Sequence, residues 1–209
     1  MEHGARRWSL SDLWWALPRI GRVGNGKAIG VLSVWIWWDR MLQRRWKLQL
    51  VRPDGIMRYR LIRHRGHDVT LKDGTVIKPG DLLVEVHFDN GRLMSRLEGS
   101  RDAPFEILER IEKDFAALTG EILEGKLGAV QAMYAATMFS IPARRVGFEL
   151  HPVPHTLGWS LRRYFLIGLI PIYQQDGWKQ FDRMRRTRWP VELWMSVKTM
   201  RERQHKAPG

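Results

Sequence analysis

Residues 81–90 read Asp-Leu-Leu-Val-Glu-Val-His-Phe-Asp-Asn, and this stretch predicts the β-strand around which the fold is organised. Alternate residues of a strand point to opposite faces of a sheet. The even positions from 82 to 88 are all apolar, whereas Glu85, His87 and Asp89 occupy odd positions. The strand therefore has an apolar face for a hydrophobic core. Its other face is polar, and is either a buried site or a surface that faces water.

Turn-forming residues on both sides of this strand predict an antiparallel β-meander over residues 56–97. Residues 57–64 alternate as a strand does, and Asp-Gly at 73–74 lies between two strand-forming runs, which is typical of a hairpin. Lys-Pro-Gly-Asp at 78–81 predicts a second turn, and Asn-Gly at 90–91 predicts a third. The residues that we expect to shape these turns are Asp73, Gly74, Gly80, Asp81 and Gly91.

Helical periodicity follows the meander. Asp102 is the expected cap of a helix in which apolar residues recur at spacings of three and four up to Ile122. Residues 127–140 are apolar and rich in small residues, so a buried strand and a buried helix both fit. The predicted fold class is α+β: an antiparallel meander sheet packed by several helices in a single domain. We expect this domain to cover residues 28–205, after a flexible arm rich in Trp and Arg over residues 1–27.

Composition limits the chemistry that this chain can perform. Its 209 residues include no cysteine, which excludes disulfides, thiol catalysis and cysteine-based zinc sites. The histidines form no HExxH pattern, and residues 21–28 resemble a phosphate loop but lack its Ser or Thr, so we expect no metal and no cofactor. The first 27 residues have no signal-peptide pattern, and no apolar run reaches the ~20 residues that cross a bilayer. These features predict a cytoplasmic protein.

The chain is strongly basic, with 35 Lys and Arg against 22 Asp and Glu and a formal net charge of +13. Eleven Trp crowd the first and last quarters, and basic runs at 40–47, 58–65 and 179–188 are interleaved with aromatic residues. Such a mixture can hold anionic lipid headgroups at the inner face of a membrane, or a nucleic-acid backbone. No RRM, KH or helix-turn-helix pattern is present, which makes sequence-specific nucleic-acid binding the weaker alternative.

The polar positions of the strand at 81–90 are the strongest candidates for chemistry. Residues two apart on one strand face are about 7 Å apart at the backbone, so neighbouring side chains can converge on one proton. A carboxylate beside His87 could orient the imidazole and raise its pKa, as a general base requires. The competing interpretation is an ordinary half-exposed strand whose polar residues face water.

The chain also resembles the YkoP-like domain family over roughly residues 30–205. The motifs that carry the resemblance are Leu71-x-Asp73-Gly74-x-x-Ile77-x-x-Gly80-Asp81, Glu85-x-His87-x-x-Asn90-x-x-Leu93, Thr137, the run at 143–148, and Leu193-Trp194-x-Ser196. In this family the domain occurs alone and also attached to polysaccharide deacetylases of the cell envelope. The resemblance therefore implies a role in envelope polysaccharide or lipid metabolism, without naming a step.

Three candidate functions follow. The first is an accessory or binding domain at the cytoplasmic membrane surface, with an anionic membrane, an envelope glycan or an envelope enzyme as its partner. The second is a small enzyme acting on an anionic envelope substrate, and non-specific nucleic-acid binding is a third alternative. The candidate catalytic residues are His87, Asp89 and Asn90, and the candidate anion-binding residues are Arg144, Arg145, Arg185 and Arg186. Burial of the polar strand face together with convergent Arg or His would indicate a site.

Overall fold

The computed structural model describes residues 41, 45–89, 92, 103–137, 143–144, 146–168 and 189–206. The main elements of this part of the chain are eight strands and three helices. In chain order they are β1 Gln49–Leu50, β2 Met57–Arg63, β3 Val69–Thr70, β4 Val76–Ile77, β5 Leu82–Phe88, α1 Ala103–Leu123, β6 Val130–Thr137, β7 Glu149–Pro152, α2 Leu157–Gly168, β8 Val191–Ser196 and α3 Val197–Lys206.

Six of the strands form one sheet in the order β1-β2-β5-β6-β8-β7. Neighbouring strands are antiparallel except β5 and β6, which run parallel. A parallel pair needs a long crossover connection, and helix α1 lies in the chain between β5 and β6. The predicted α+β class is confirmed, but the sheet is mixed rather than antiparallel throughout. The segment at 127–140, for which the sequence pattern fitted both a strand and a helix, contributes strand β6.

One face of the sheet carries the main hydrophobic core. The apolar even face of β5 contributes Val84, which is fully buried, with Leu82 and Val86 packed beside it. Helices α1 and α3 cover this face, and α1 supplies Leu118 and Ile122 from its apolar stripe. The buried members of the core are Tyr59, Val84, Leu118, Ile122, Val130, Met133, Met195 and Met200. The strand at 81–90 therefore turns its apolar positions towards the core, as its pattern predicts.

The opposite face of the sheet is covered at one end by the β3–β4 hairpin. Leu71 and Ile77 of the hairpin pack against Leu83, Ala132 and Trp194 of the sheet. The hairpin joins β2 to β5, which pair with each other over seven residues. This arrangement leaves the other end of the same sheet face for polar side chains.

Turns at both ends of strand β4 hold the hairpin in place. Gly74 (φ +83°) and Gly80 (φ +93°) have left-handed backbone conformations that other residues adopt at a cost. The Asp81 carboxylate accepts a hydrogen bond from the Lys78 backbone N–H at 2.7 Å. Asp73 accepts one from the Thr75 backbone N–H at 2.9 Å and another from the Ser196 hydroxyl. Asp73 thereby joins the hairpin to the junction between β8 and α3.

Several predicted features lie outside the described residues. They are the arm at 1–27, Asn90 and Gly91 of the third turn, and three of the four candidate anion-binding residues, Arg145, Arg185 and Arg186. Arg92, which the predicted meander over residues 56–97 includes, is helical, so the meander prediction is wrong at this residue. Among the helices that the structure describes, none is both long enough and apolar enough to cross a bilayer.

Asp114 of helix α1 is a fully buried carboxylate that anchors the start of β2. It accepts hydrogen bonds from the backbone N–H groups of Ile56 and Met57, at 2.7 and 2.9 Å. The carboxylate comes so close to the chain at Gly55 that a Cβ there would lie 2.2 Å from Asp114 Oδ1. Glycine at 55 is therefore a steric requirement of this contact.

Replacing Asp114 by Ala should lower the free energy of unfolding by about 3 kcal/mol, because two buried backbone N–H groups lose their acceptor. Urea denaturation followed by circular dichroism measures the change. Glu112→Ala is the matched control, since Glu112 lies on the exposed side of the same helix. Equal stability of the two variants would contradict the anchoring role of Asp114.

Candidate functional site

A row of polar and aromatic side chains crosses the sheet on the face that the β3–β4 hairpin partly covers. The register of the strands places five residues side by side in this row. They are Arg60 on β2, Glu85 on β5, Tyr134 on β6, Trp194 on β8 and Glu149 on β7. Facing residues of neighbouring strands project to the same side of a sheet, so the five side chains share one sheet face. Trp194 is buried there against the hairpin.

Glu85 is the buried centre of this row, with only 3% of its surface exposed. Arg60 Nε donates a hydrogen bond to Glu85 Oε2 at 2.5 Å, and Arg60 Nη2 lies at the same distance from that oxygen. Arg162 of helix α2 reaches the other carboxylate oxygen, with Nη2 3.4 Å from Oε1. Arg60 and Arg162, which are 102 residues apart in the sequence, therefore contact the same carboxylate.

Each of the two guanidinium groups also lies over a tryptophan ring. Arg60 Cζ is 4.2 Å from the ring centroid of Trp46, and Arg162 Cζ is 5.0 Å from that of Trp159. Both distances are within the range of cation–π attraction. The carboxylate on one side and the ring on the other hold each guanidinium in a defined orientation. We call Arg60, Glu85, Arg162, Trp46 and Trp159 the Glu85 cluster.

Glu85 is ionised at neutral pH in spite of its burial. Burial raises the pKa of its carboxyl group, but the neighbouring His87 and Arg60 more than offset this, and the resulting pKa is about 2. Two guanidinium charges against one carboxylate leave the cluster with net positive charge. Arg60 and Arg162 remain partly accessible, with 23% and 34% of their side chains exposed.

His87 lies next to the Glu85 cluster on the same strand face. Its Nε2 is 3.5 Å from Glu85 Oε2, and its ring centroid is 5.6 Å from that of Trp46. Nε2 is buried and has no hydrogen-bond partner within the described part of the chain. A buried imidazole nitrogen beside an ionised carboxylate is available for a proton or for a ligand group.

Asp89 belongs to a separate ion pair. Arg58 binds its carboxylate with Nε at 2.8 Å and Nη2 at 2.7 Å, and the Arg92 backbone N–H donates to it at 3.1 Å. Asp89 is buried and lies just beyond the end of β5. The structure thus brings His87 together with Glu85, whereas the carboxylate of Asp89 is engaged by Arg58.

Tyr134 and Glu192 extend the polar surface away from Glu85. Tyr134 donates its hydroxyl hydrogen to Glu192 Oε1 at 2.9 Å, and Trp194 Nε1 donates to Oε2 at 3.4 Å. Burial raises the pKa of the Tyr134 phenol well above its usual range; Arg162 lowers it and Glu192 raises it further. The phenol therefore stays neutral and donates to Glu192 at physiological pH.

The family assignment follows from comparison with known proteins. A model of the YkoP domain matches residues 29–204 of this chain. The chain belongs to the YkoP domain family.

A curated relative carries the same name. "Uncharacterized protein YkoP" of Bacillus subtilis (strain 168) is 28% identical over 125 residues, which are 57% of this chain and 68% of the relative. The resemblance found in the sequence motifs is thus confirmed. No solved structure matches this chain significantly.

Of the predicted anion-binding residues, only Arg144 of this YkoP domain is described by the structure, and it makes no contact with the Glu85 cluster. Arg144 is exposed and has no ion pair or side-chain hydrogen bond among the described residues. A cavity of about 540 Å³ opens beside helix α3 and is lined in part by Lys198 and Arg201, but by no member of the cluster. No group of three or more His, Asp or Glu that could hold a metal ion occurs in the described ranges.

Sequence reasoning did not select Arg60 or Arg162 as site residues. Arg60 shares the alternation of Arg58 in β2, so the pattern places both on one strand face without distinguishing their partners. Arg162 follows Leu161 in an otherwise apolar helix, where an isolated pair of arginines is the only signal. The register between β2 and β5, which pairs Arg60 with Glu85, is what identifies the site.

The low pKa of Glu85 predicts a pH-dependent contribution to stability. The pKa is about 2 in the folded protein and about 4.5 in the unfolded chain, so the contribution is complete above pH 4.5 and is lost as the pH falls towards 2. The difference in unfolding free energy between the wild type and Glu85→Gln should shrink by about 2 kcal/mol between pH 6 and pH 3.

Urea denaturation at a series of pH values tests this expectation. Glu112→Gln is the control, because Glu112 is exposed and its replacement should leave a nearly constant difference from the wild type. If the Glu85→Gln difference stays constant over the same pH range, the ion pairs of Glu85 do not stabilise the fold in the way described.

Proposed function

We propose that this YkoP domain is a binding domain for an anionic ligand, and that Arg60, Arg162 and His87 form its binding surface. The observation that carries the proposal is the Glu85 cluster. Glu85, which is 3% exposed, holds two arginines that are themselves partly exposed to solvent. The buried part of the cluster has the character of a support, and the accessible part is cationic.

The hydrogen-bonding capacity of the cluster favours a carboxylate or phosphate group as the ligand. A guanidinium has five N–H donors. Arg60 directs two of its nitrogens at Glu85 and Arg162 directs one, and no further hydrogen bond is made by either side chain within the described residues. The remaining donors lie in the planar arrangement that matches carboxylate and phosphate oxygens.

The aromatic rings of the cluster suit a ligand that also has an apolar or ring-shaped part. Trp46 and Trp159 flank the two arginines, and Trp side chains combine a large apolar face with a polar edge. An acidic sugar or a phosphorylated lipid headgroup has both features. Together with the family resemblance, this supports an accessory role in envelope polysaccharide or lipid metabolism, with the ligand drawn from that chemistry.

Catalysis is a second candidate function, and the position of His87 favours it. Its unpartnered Nε2 lies beside the cluster and could accept a proton from a water molecule that attacks a bound ester. The bond to the leaving alcohol would break as the new bond to water oxygen forms. In this function Glu85 stabilises the imidazolium that forms when Nε2 takes the proton, and Arg60 and Arg162 hold the anionic part of the substrate.

Binding of simple anions tests the first function. Isothermal titration calorimetry at low ionic strength should detect glucuronate and glycerol 3-phosphate, but not uncharged N-acetylglucosamine. Arg162→Gln should weaken binding of the anions about tenfold or more, because charged hydrogen bonds of the ligand are lost. Arg162→Lys keeps the charge but loses the planar donor group. Its affinity for the anions should lie between those of the wild type and Arg162→Gln.

Arg65→Gln is the matched control for this experiment. Arg65 lies just beyond strand β2, is exposed, and makes no hydrogen bond or ion pair among the described residues. Its replacement removes the same charge from the protein and should leave the affinity unchanged. Binding of the neutral sugar as tightly as the anions, or equal losses in Arg162→Gln and Arg65→Gln, would contradict the proposed site.

Hydrolysis of p-nitrophenyl phosphate and p-nitrophenyl acetate tests the second function. The wild type should release nitrophenol faster than His87→Gln, while both proteins bind glycerol 3-phosphate because His87→Gln keeps Arg60 and Arg162. His205→Gln is the control, since His205 is an exposed histidine of helix α3 outside the cluster. If His87→Gln hydrolyses both esters at the wild-type rate, the catalytic function is wrong and the binding function is unaffected.

A further inference from the structure

His87 is the member of the proposed binding surface whose charge can change near neutral pH. Asp89 engages Arg58 and Arg92, and the phenol of Tyr134 donates to Glu192. The charged and titratable groups on the elements around the His87 ring are Glu85 and Asp89 on β5, Arg58 and Arg60 on β2, Arg92 beyond β5, Tyr134 on β6 and Arg162 on helix α2. The charge that a ligand meets is therefore set by Arg60, Arg162, Glu85 and His87 itself.

Three nitrogen-bearing side chains from three elements converge on the Glu85 carboxylate. Arg60 Nη2 and His87 Nε2 lie 2.5 and 3.5 Å from Glu85 Oε2. Arg162 Nη2 lies 3.4 Å from the other oxygen, Oε1. Each of the three side chains is also partly exposed, and for His87 the exposed fraction is 21%. A ligand beside Glu85 can therefore be bound by groups from β2, β5 and helix α2 together.

The position of the His87 ring favours its protonated form when an anion is bound. Nε2 is buried and faces the ionised carboxylate of Glu85, while another part of the ring is exposed. A neutral imidazole has one donor nitrogen and one acceptor nitrogen, whereas an imidazolium has two donors. Only the imidazolium can direct one N–H at Glu85 and present the other N–H to a bound anion.

From this arrangement we propose that the ligand group is a phosphate monoester in its dianionic form, bound together with a proton on His87. The proposal rests on the anion-binding function proposed above and names the class of its ligand. Arg60, Arg162 and Glu85 sum to a charge of +1, and protonation of His87 raises the sum to +2. A dianion is then fully compensated, which matters because uncompensated charge in a partly buried site is costly.

The number of binding groups also favours a phosphate monoester over other anions. A phosphate monoester has three terminal oxygens that accept hydrogen bonds, one for each of Arg60, Arg162 and His87. A carboxylate and a phosphodiester each have two such oxygens and a single negative charge. These monoanions should bind through the two arginines, more weakly and without uptake of a proton.

Sulfate and methyl sulfate isolate the charge of the ligand, because both are tetrahedral and neither titrates between pH 6 and pH 8. In isothermal titration calorimetry of the full chain, the wild type should bind sulfate about tenfold more tightly than methyl sulfate at pH 6. The affinity for sulfate should fall about tenfold by pH 8, whereas that for methyl sulfate should change little. Titrations at pH 7.5 in two buffers of different ionisation enthalpy should show proton uptake with sulfate only.

His87→Gln should bind the two anions about equally and independently of pH, because glutamine cannot take up the proton. His151→Gln is the matched control. His151 is a histidine on strand β7 of the same sheet, and its Nε2 also lies beside a glutamate, 3.6 Å from Glu149 Oε2. It makes no contact with the Glu85 cluster among the described residues, so its replacement should leave the preference for sulfate and its pH dependence unchanged.

Glucose 6-phosphate and dioctanoyl phosphatidate carry a phosphate monoester on a sugar and on a lipid, and the tighter binder of the two identifies the source of the ligand. The proposed ligand class is overturned if both bind more weakly than methyl sulfate, or if the wild type binds sulfate and methyl sulfate equally at pH 6. Sulfate binding without proton uptake, or a preference for sulfate that persists in His87→Gln, overturns it as well. These results leave the binding function in place. If the wild type binds none of these anions, the binding function of the Glu85 cluster is wrong too.

Discussion

The polar face of the sheet depends on one buried charge, the carboxylate of Glu85. A carboxylate removed from water is stable only if cations and hydrogen-bond donors compensate it. Arg60 meets this need from the neighbouring strand, and Arg162 from helix α2. The same contact that satisfies Glu85 therefore fastens helix α2 to the sheet and sets the orientation of two arginines.

Orientation of the arginines has a consequence for binding. A free arginine loses conformational entropy when a ligand immobilises it, and this loss weakens the complex. In the YkoP domain the loss occurs largely on folding, because Glu85 and the rings of Trp46 and Trp159 already restrict both guanidiniums. A ligand then meets donors that are already placed. The Glu85 carboxylate lowers the net positive charge of the site, but it holds both guanidiniums in a fixed orientation before a ligand binds.

The sequence predicted the strand at 81–90, its apolar core face and the hairpin before it, because these follow from local alternation and turn chemistry. It also identified His87 as a polar residue with a carboxylate beside it. It selected Asp89 as the carboxylate that acts with His87, whereas the structure places Glu85 next to His87. Asp89 pairs with Arg58, and Glu85 with Arg60, and these choices depend on the register between strands. The parallel pairing of β5 with β6 was also missed. The local sequence does not show whether the chain after β5 returns through a hairpin as an antiparallel strand or crosses over through a helix as a parallel one.

The row that crosses the sheet has a consequence for how the domain is made. Its members come from positions 60, 85, 134, 149 and 194, so the surface is assembled almost entirely from contacts distant in sequence. Such contacts form late, because long loops must close before they contribute. During synthesis β5 is complete long before β6 and helix α2, and Glu85 cannot yet be enclosed. The binding surface, which includes Arg60 of β2 and Arg162 of helix α2, is consequently complete only when the strands and this helix have come together.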